Sequence, residues 1–107
     1  MSNQPAKESP ISEPDPPAGT VCRTATICNQ LGLHARAAAR FVKTVELFDA
    51  EVSVRKNGIE VSGRSIMGLM MLAAAPGTVV RLAARGPQAE AAVTALARLI
   101  ECKFDED

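Results

Sequence analysis

A chain of 107 residues has room for one domain around one core. With 47% hydrophobic and 22% charged residues it has the make-up of a globular protein, not of a disordered or fibrous one. Basic and acidic side chains balance at twelve each, without a Lys/Arg run, which weighs against nucleic-acid binding, and no apolar stretch reaches the ~18 residues of a transmembrane helix.

Residues 1–19 hold five of the seven prolines, with Ser, Glu, Asp and Gly between them. Such a segment buries too little apolar surface to offset its ordering entropy, so a disordered tail is expected there, with the folded domain spanning 20–103. The first residues lack the basic-then-apolar pattern of a secretory signal, and a cytoplasmic location is expected. From Val21 to Cys28 the chain alternates, Val21, Ala25 and Ile27 on one face and Thr24 and Thr26 on the other, which predicts a strand with one buried face. Cys22 and Cys28 on such a strand lie about 20 Å apart, beyond disulfide reach. With Cys102 they read as reduced, structural thiols.

Asn29 to Gly32 reads as a loop. Ala38, Phe41, Val42, Val45 and Phe48 then recur with helical period, opposite Arg36, Arg40, Lys43 and Glu46, predicting a helix from about Ala35 to Leu47. Glu51–Arg55 and Ile59–Ser62 alternate as strands around Asn57-Gly58, a dipeptide suited to the two left-handed positions of a type I′ hairpin. Ser65 precedes an apolar run from Ile66 to Leu72 and is placed to cap a short helix. After a Pro76-Gly77 turn, Thr78 to Ala84 alternates as a fourth strand. Gly86-Pro87 is expected to open a last helix with Pro in its first turn and a stripe of Ala89, Val93, Leu96, Leu99 and Ile100. Residues 104–107 read as an acidic C-terminal tail, with Asp105-Glu106-Asp107 expected to fray. The order β-α-β-β-α-β-α predicts a two-layer α+β fold, with helices on one face of a mainly antiparallel sheet.

His34 is the only histidine. It stands at the mouth of the first helix, where free backbone N–H groups and the helix dipole favour an anion, and Arg36 can reach the same place with a permanently charged fork. A neutral imidazole nitrogen is a nucleophile toward phosphorus, so these pieces suit a covalent phosphohistidine. A lone histidine at a helix start also serves simply as a cap or a surface group. With no second histidine and no CxxC spacing, a metal site is not expected, and no cofactor is called for. The run Ile66, Met67, Leu69, Met70, Met71, Leu72 is too apolar for so short a helix to bury. Leu69 and Leu72 are expected in the core, with Ile66, Met67 and Met70 part of an exposed docking surface.

The runs Gly32-Leu33-His34-Ala35-Arg36 and Arg64-Ser65-Ile66-Met67-Gly68-Leu69-Met70 resemble the HPr family, the histidine phosphocarriers of the phosphoenolpyruvate phosphotransferase system. The likeness covers about residues 21 to 103, with both motifs in register. The resemblance implies an open-faced sandwich of four antiparallel strands and three helices. It implies that His34 takes phosphate from enzyme I and passes it to an enzyme IIA-type acceptor, assisted by Arg36. It also implies that Ser65 is the serine marked by an HPr kinase/phosphorylase. The family usually has proline where this chain has Ala37, and alanine there resembles the nitrogen-type carriers; alanine is an excellent helix former, so the helix start should survive with a slightly looser loop.

Three other readings compete. An HPr-like module acting only through Ser65 would have no use for His34 and Arg36. An RNA-binding α+β domain would need exposed aromatics for base stacking, and the chain has no Tyr or Trp. A stand-alone enzyme would need paired carboxylates, a Cys/His pair or a phosphate-cradling Gly loop. The chain reads better as a covalent substrate of other enzymes.

Overall fold

The computed structural model describes residues 18–106; the tail expected over 1–19 lies almost wholly outside them. The elements are β1 (Val21–Thr26), α1 (Ala35–Val45), β2 (Glu51–Lys56), β3 (Ile59–Ser62), α2 (Ile66–Met71), β4 (Val79–Arg85) and α3 (Ala89–Glu101), followed by a short turn, Lys103–Asp105. The four strands form one sheet in the order β1-β4-β2-β3, every neighbour antiparallel.

Alternation decides which face of this sheet is covered. Ala25, Val52, Val54, Val80, Leu82 and Ala84 are buried, and in register Ala25 lies opposite Val80 and Val54 opposite Leu82. Against them the helices bring Phe41 and Val45 from α1, Leu69 from α2, and Val93, Leu96 and Ile100 from α3. The opposite face carries Thr24, Arg81, Arg55 and Ser53 on neighbouring strands. One face is therefore core and the other open, as in a two-layer α+β sandwich.

The hairpin between β2 and β3 turns on Asn57 and Gly58, at φ of 50° and 83°, the two left-handed positions of a type I′ turn. Lys56 Nζ donates to the carbonyls of Leu72 (2.8 Å) and Ala73 (3.2 Å), placing a cation on the C-terminal carbonyls of α2.

Several boundaries differ from the sequence pattern, each for a local reason. The pattern carries the first strand to Cys28, but the ladder ends at Thr26. Beyond it Ile27 accepts from Gly77 N–H and donates to Thr78 O, bonds of the Pro76-Gly77 turn. Helical period extends α1 to Leu47, but the last amides shorten their reach, Leu47 N–H going to Thr44 O and Phe48 N–H to Val45 O. Pro87 does not lie inside α3: Gln88 precedes the helix and is clamped to Asp49 by two bonds, N–H to O and Oε1 to N–H.

The largest difference is at the C-terminus. Residues 104–107 read as an acidic tail outside the domain, frayed from Asp105 on, yet Phe104 is fully buried and Glu106 makes two hydrogen bonds to the body of the protein. Lys103, Phe104 and Asp105 all have φ near +60° (57°, 56° and 61°), a left-handed turn that L-residues adopt at a cost of roughly 1–2 kcal/mol each. Burial of a phenylalanine side chain, worth about 1.5–3 kcal/mol, offsets much of it. Asp107 lies outside the described residues.

Candidate functional site

The loop between β1 and α1 is built to hold one side chain in place. Gly32 has φ of +66°, and a Cβ added to it would lie 2.4 Å from the Ala74 carbonyl oxygen, so the position requires glycine twice over. Leu33 is buried and its N–H donates to the same carbonyl at 2.9 Å. Asn29, fully buried, donates from Nδ2 to Gly32 O at 2.7 Å. The next residue is His34, whose backbone is thus fixed before its side chain begins.

His34 is the N-cap of α1, in extended conformation, with its own carbonyl accepting the Ala38 N–H at 2.8 Å. Its ring takes the part a Ser or Asp plays at other helix starts, Nδ1 accepting the Arg36 N–H at 3.3 Å. The other ring nitrogen, Nε2, lies 2.7 Å from Glu106 Oε2. A second oxygen of that carboxylate accepts from Asn29 Nδ2 at 3.1 Å. Burial of the Glu106 carboxyl works against its charge. The hydrogen bonds from Asn29 and His34, with the charges of His34 and Arg36, outweigh that and hold the carboxyl below the usual glutamate range.

These contacts settle the tautomer of a neutral ring. An ionised carboxylate only accepts, so Nε2 carries the proton; Nδ1 accepts from a backbone amide, so it carries the lone pair. The nitrogen at the positive end of α1 is therefore the one that bears the lone pair. The His34 side chain is 26% exposed and opens into a shallow cleft also lined by Leu31, Arg36, Arg40, Asp105 and Glu106. Arg40 pairs with Asp105 at 3.7 Å on its rim.

The structure thus brings His34 and Arg36 into one cleft. Ser65 and its neighbours lie elsewhere, on α2, which packs against α1. Ser65 caps that helix, its Oγ accepting the Gly68 N–H at 2.9 Å. Leu69 and Leu72 are buried, whereas Ile66, Met67 and Met70 are exposed, Met67 by 69%, and Met71 joins them. Gly68 sits in a tight place: an added Cβ would stand 3.0 Å from Ser65 Oγ and 3.1 Å from Val61 Cβ. Sequence patterns missed Asn29 and Glu106. The usable signal was Phe104, one of only three aromatics, whose burial pulls the acidic tail onto the domain.

A family model for the phosphorylation site of the HPr component of the phosphotransferase system matches residues 21–102. The chain belongs to the HPr family. It is 52% identical over 80 residues to phosphocarrier protein HPr of Neisseria meningitidis, covering 75% of this chain and 90% of that one. It is 42% identical over 84 residues to phosphocarrier protein NPr of Shewanella violacea, covering 78% and 92%. The crystal structure of HPr-C-His from Thermoanaerobacter tengcongensis superimposes with a TM-score of 0.78 at 45% identity, covering 81% of this chain and 98% of that one. The HPr fold and a phosphocarrier function in a phosphotransferase system follow. The HPr family works with enzymes of that system. None of the described helices is long and apolar enough to cross a membrane.

Proposed function

We propose that His34 is the residue that carries the phosphoryl group, receiving it at Nδ1 from enzyme I and yielding it to an enzyme IIA-type acceptor in the cytoplasm. The observation that carries this reading is the placement of a lone-pair nitrogen at the N-terminus of α1, in a cleft that also holds Arg36 and Arg40. Phosphoryl oxygens on Nδ1 meet the first-turn amides and the permanently charged Arg36 there. In the transfer, the Nδ1 lone pair forms the N–P bond as the bond from phosphorus to the donor breaks, its electron pair staying with the donor. Arg36 stabilises the charge on the moving group. Ile66, Met67 and Met70 serve as a docking surface, and Ser65 at its edge is a regulatory phosphorylation site for an HPr kinase/phosphorylase.

The test is direct. Phosphoenolpyruvate and enzyme I should add one acid-labile phosphoryl group to the protein, and none to His34→Ala. A group that persists in that variant, or that survives acid, overturns the assignment.

A further inference from the structure

We propose that Glu106 is a positioning residue for phosphoryl transfer: it keeps the proton of the His34 ring on Nε2 and stabilises the positive charge the ring acquires as Nδ1 bonds to phosphorus. The proposal rests on His34 being the phosphoryl acceptor. Glu106 lies beyond the segment that the family model matches, which ends at residue 102.

Three features of the structure carry it. The first is the contact itself, Oε2 to Nε2 at 2.7 Å, the length of a charge-assisted bond. The second is the way the carboxylate is held. Asn29 Nδ2 faces two acceptors, Gly32 O and Glu106 Oε1, so the orientation of its amide is forced. In that orientation its own Oδ1 is buried without a partner. One buried amide thus ties the carboxylate to the same loop that fixes the His34 backbone, at the expense of its own oxygen. The third is the backbone that delivers Glu106. Three successive left-handed residues persist because Phe104 anchors them in the core.

The chemistry needs such a group. When the neutral ring attacks, Nδ1 gives its electron pair to phosphorus while Nε2 keeps its proton, so the phosphorylated ring gains a positive charge. A carboxylate fixed at Nε2 opposes that charge directly, in a setting only 15% exposed on the glutamate side chain. It does so without moving, since the bond already exists before transfer. On onward transfer the electron pair of the N–P bond returns to Nδ1, and the ring again becomes the neutral Nε2–H form.

The experiment compares the full-length protein with Glu106→Gln and Glu106→Ala in single-turnover transfer from phosphorylated enzyme I. The rate is followed against protein concentration, with His34→Ala as the blank. Glutamine keeps an acceptor oxygen but not the charge, so Glu106→Gln should transfer about tenfold more slowly at saturation with an unchanged half-saturating concentration. Glu106→Ala should be slower still. Nitrogen-15 spectra of the imidazole should show a smaller share of the Nε2–H form in Glu106→Ala than in wild type. Melting curves of both variants establish that the fold is kept. A Glu106→Gln rate equal to or above wild type overturns the role of Glu106 while leaving His34 as acceptor. A wild-type protein that takes up no phosphoryl group overturns both.

Discussion

At the scale of single residues, the cleft is a set of charges arranged around one imidazole. Gly32 and Asn29 fix the loop, the Arg36 amide meets Nδ1, and Glu106 meets Nε2. Arg36 meets the ring through a backbone amide that any residue but proline supplies, and on the proposed reading it also offers a side-chain charge that only lysine could partly replace. The two are separable by mutation. Arg36→Ala keeps the amide and places a good helix former in the first turn, so the cap on α1 should hold. Loss of a charge-assisted contact worth ~1.5–3 kcal/mol should slow transfer by up to about a hundredfold. Circular dichroism checks the fold and quenched-flow transfer the rate; an unchanged rate would make Arg36 a solvated surface residue. Ala37, where the family usually has proline, is fully buried on the third residue of α1. Its N–H is one of those for which a helix provides no carbonyl partner, so the donor that a proline lacks is not needed by the helix there, and alanine keeps the helix start intact.

At the scale of elements, α2 shows how six residues can be both core and surface. Leu69 points into the sheet layer and Gly68 lets the helix approach Val61 on β3, while Met67, Met70 and Met71 face outward. Six residues are too few for an independently stable helix, so its two ends are held from outside the helix itself. Ser65 accepts the Gly68 amide at one end, and Lys56 covers the carbonyls at the other. Aspartate is as good an N-cap as serine, so Ser65→Asp should leave the melting temperature close to wild type. The same charge stands next to exposed Ile66 and Met67, the proposed docking surface, from which a bound partner would exclude water. Its uncompensated desolvation should weaken binding to enzyme I by about tenfold. Titration of enzyme I against both proteins at two salt concentrations measures this. Equal affinities would end the regulatory role of Ser65 at that step, and a collapse in melting temperature would show that the substitution acts on the fold.

At the scale of the whole molecule, the elements of the sheet and helices were legible because period and turn chemistry are local properties. Val79–Ala84 alternates whether or not β1 and β2 are beside it, and Asn57-Gly58 demands its turn unaided. His34 and Arg36 were legible for the same reason, being two residues apart at a helix start. Glu106 was not, because its partners Asn29 and His34 are 77 and 72 residues away. An acidic tail reads as solvated until Phe104 is seen to be buried. That tertiary closure has a pH signature. Facing the Glu106 carboxylate are Asn29, His34, Arg36 and, across the cleft, Arg40 paired with Asp105. The hydrogen bonds from Asn29 and His34, with the charges of His34 and Arg36, outweigh burial and hold its carboxyl below the usual range, whereas in the unfolded chain it takes the ordinary glutamate value of about 4.3. The folded state therefore binds this proton less readily than the unfolded one. The resulting stabilisation is fully present above about pH 4.3 and is lost as pH falls through the folded value. Glu106→Gln has no such proton to bind. The melting temperature of wild type relative to Glu106→Gln should thus be higher at pH 7 than at pH 2.5, with the change falling below pH 4.3. Thermal melts of both proteins across that range provide the measurement. A difference that stays constant from pH 7 to pH 2.5 would mean that the carboxylate is not engaged with the His34 loop in solution, and that the C-terminal turn is held by Phe104 alone.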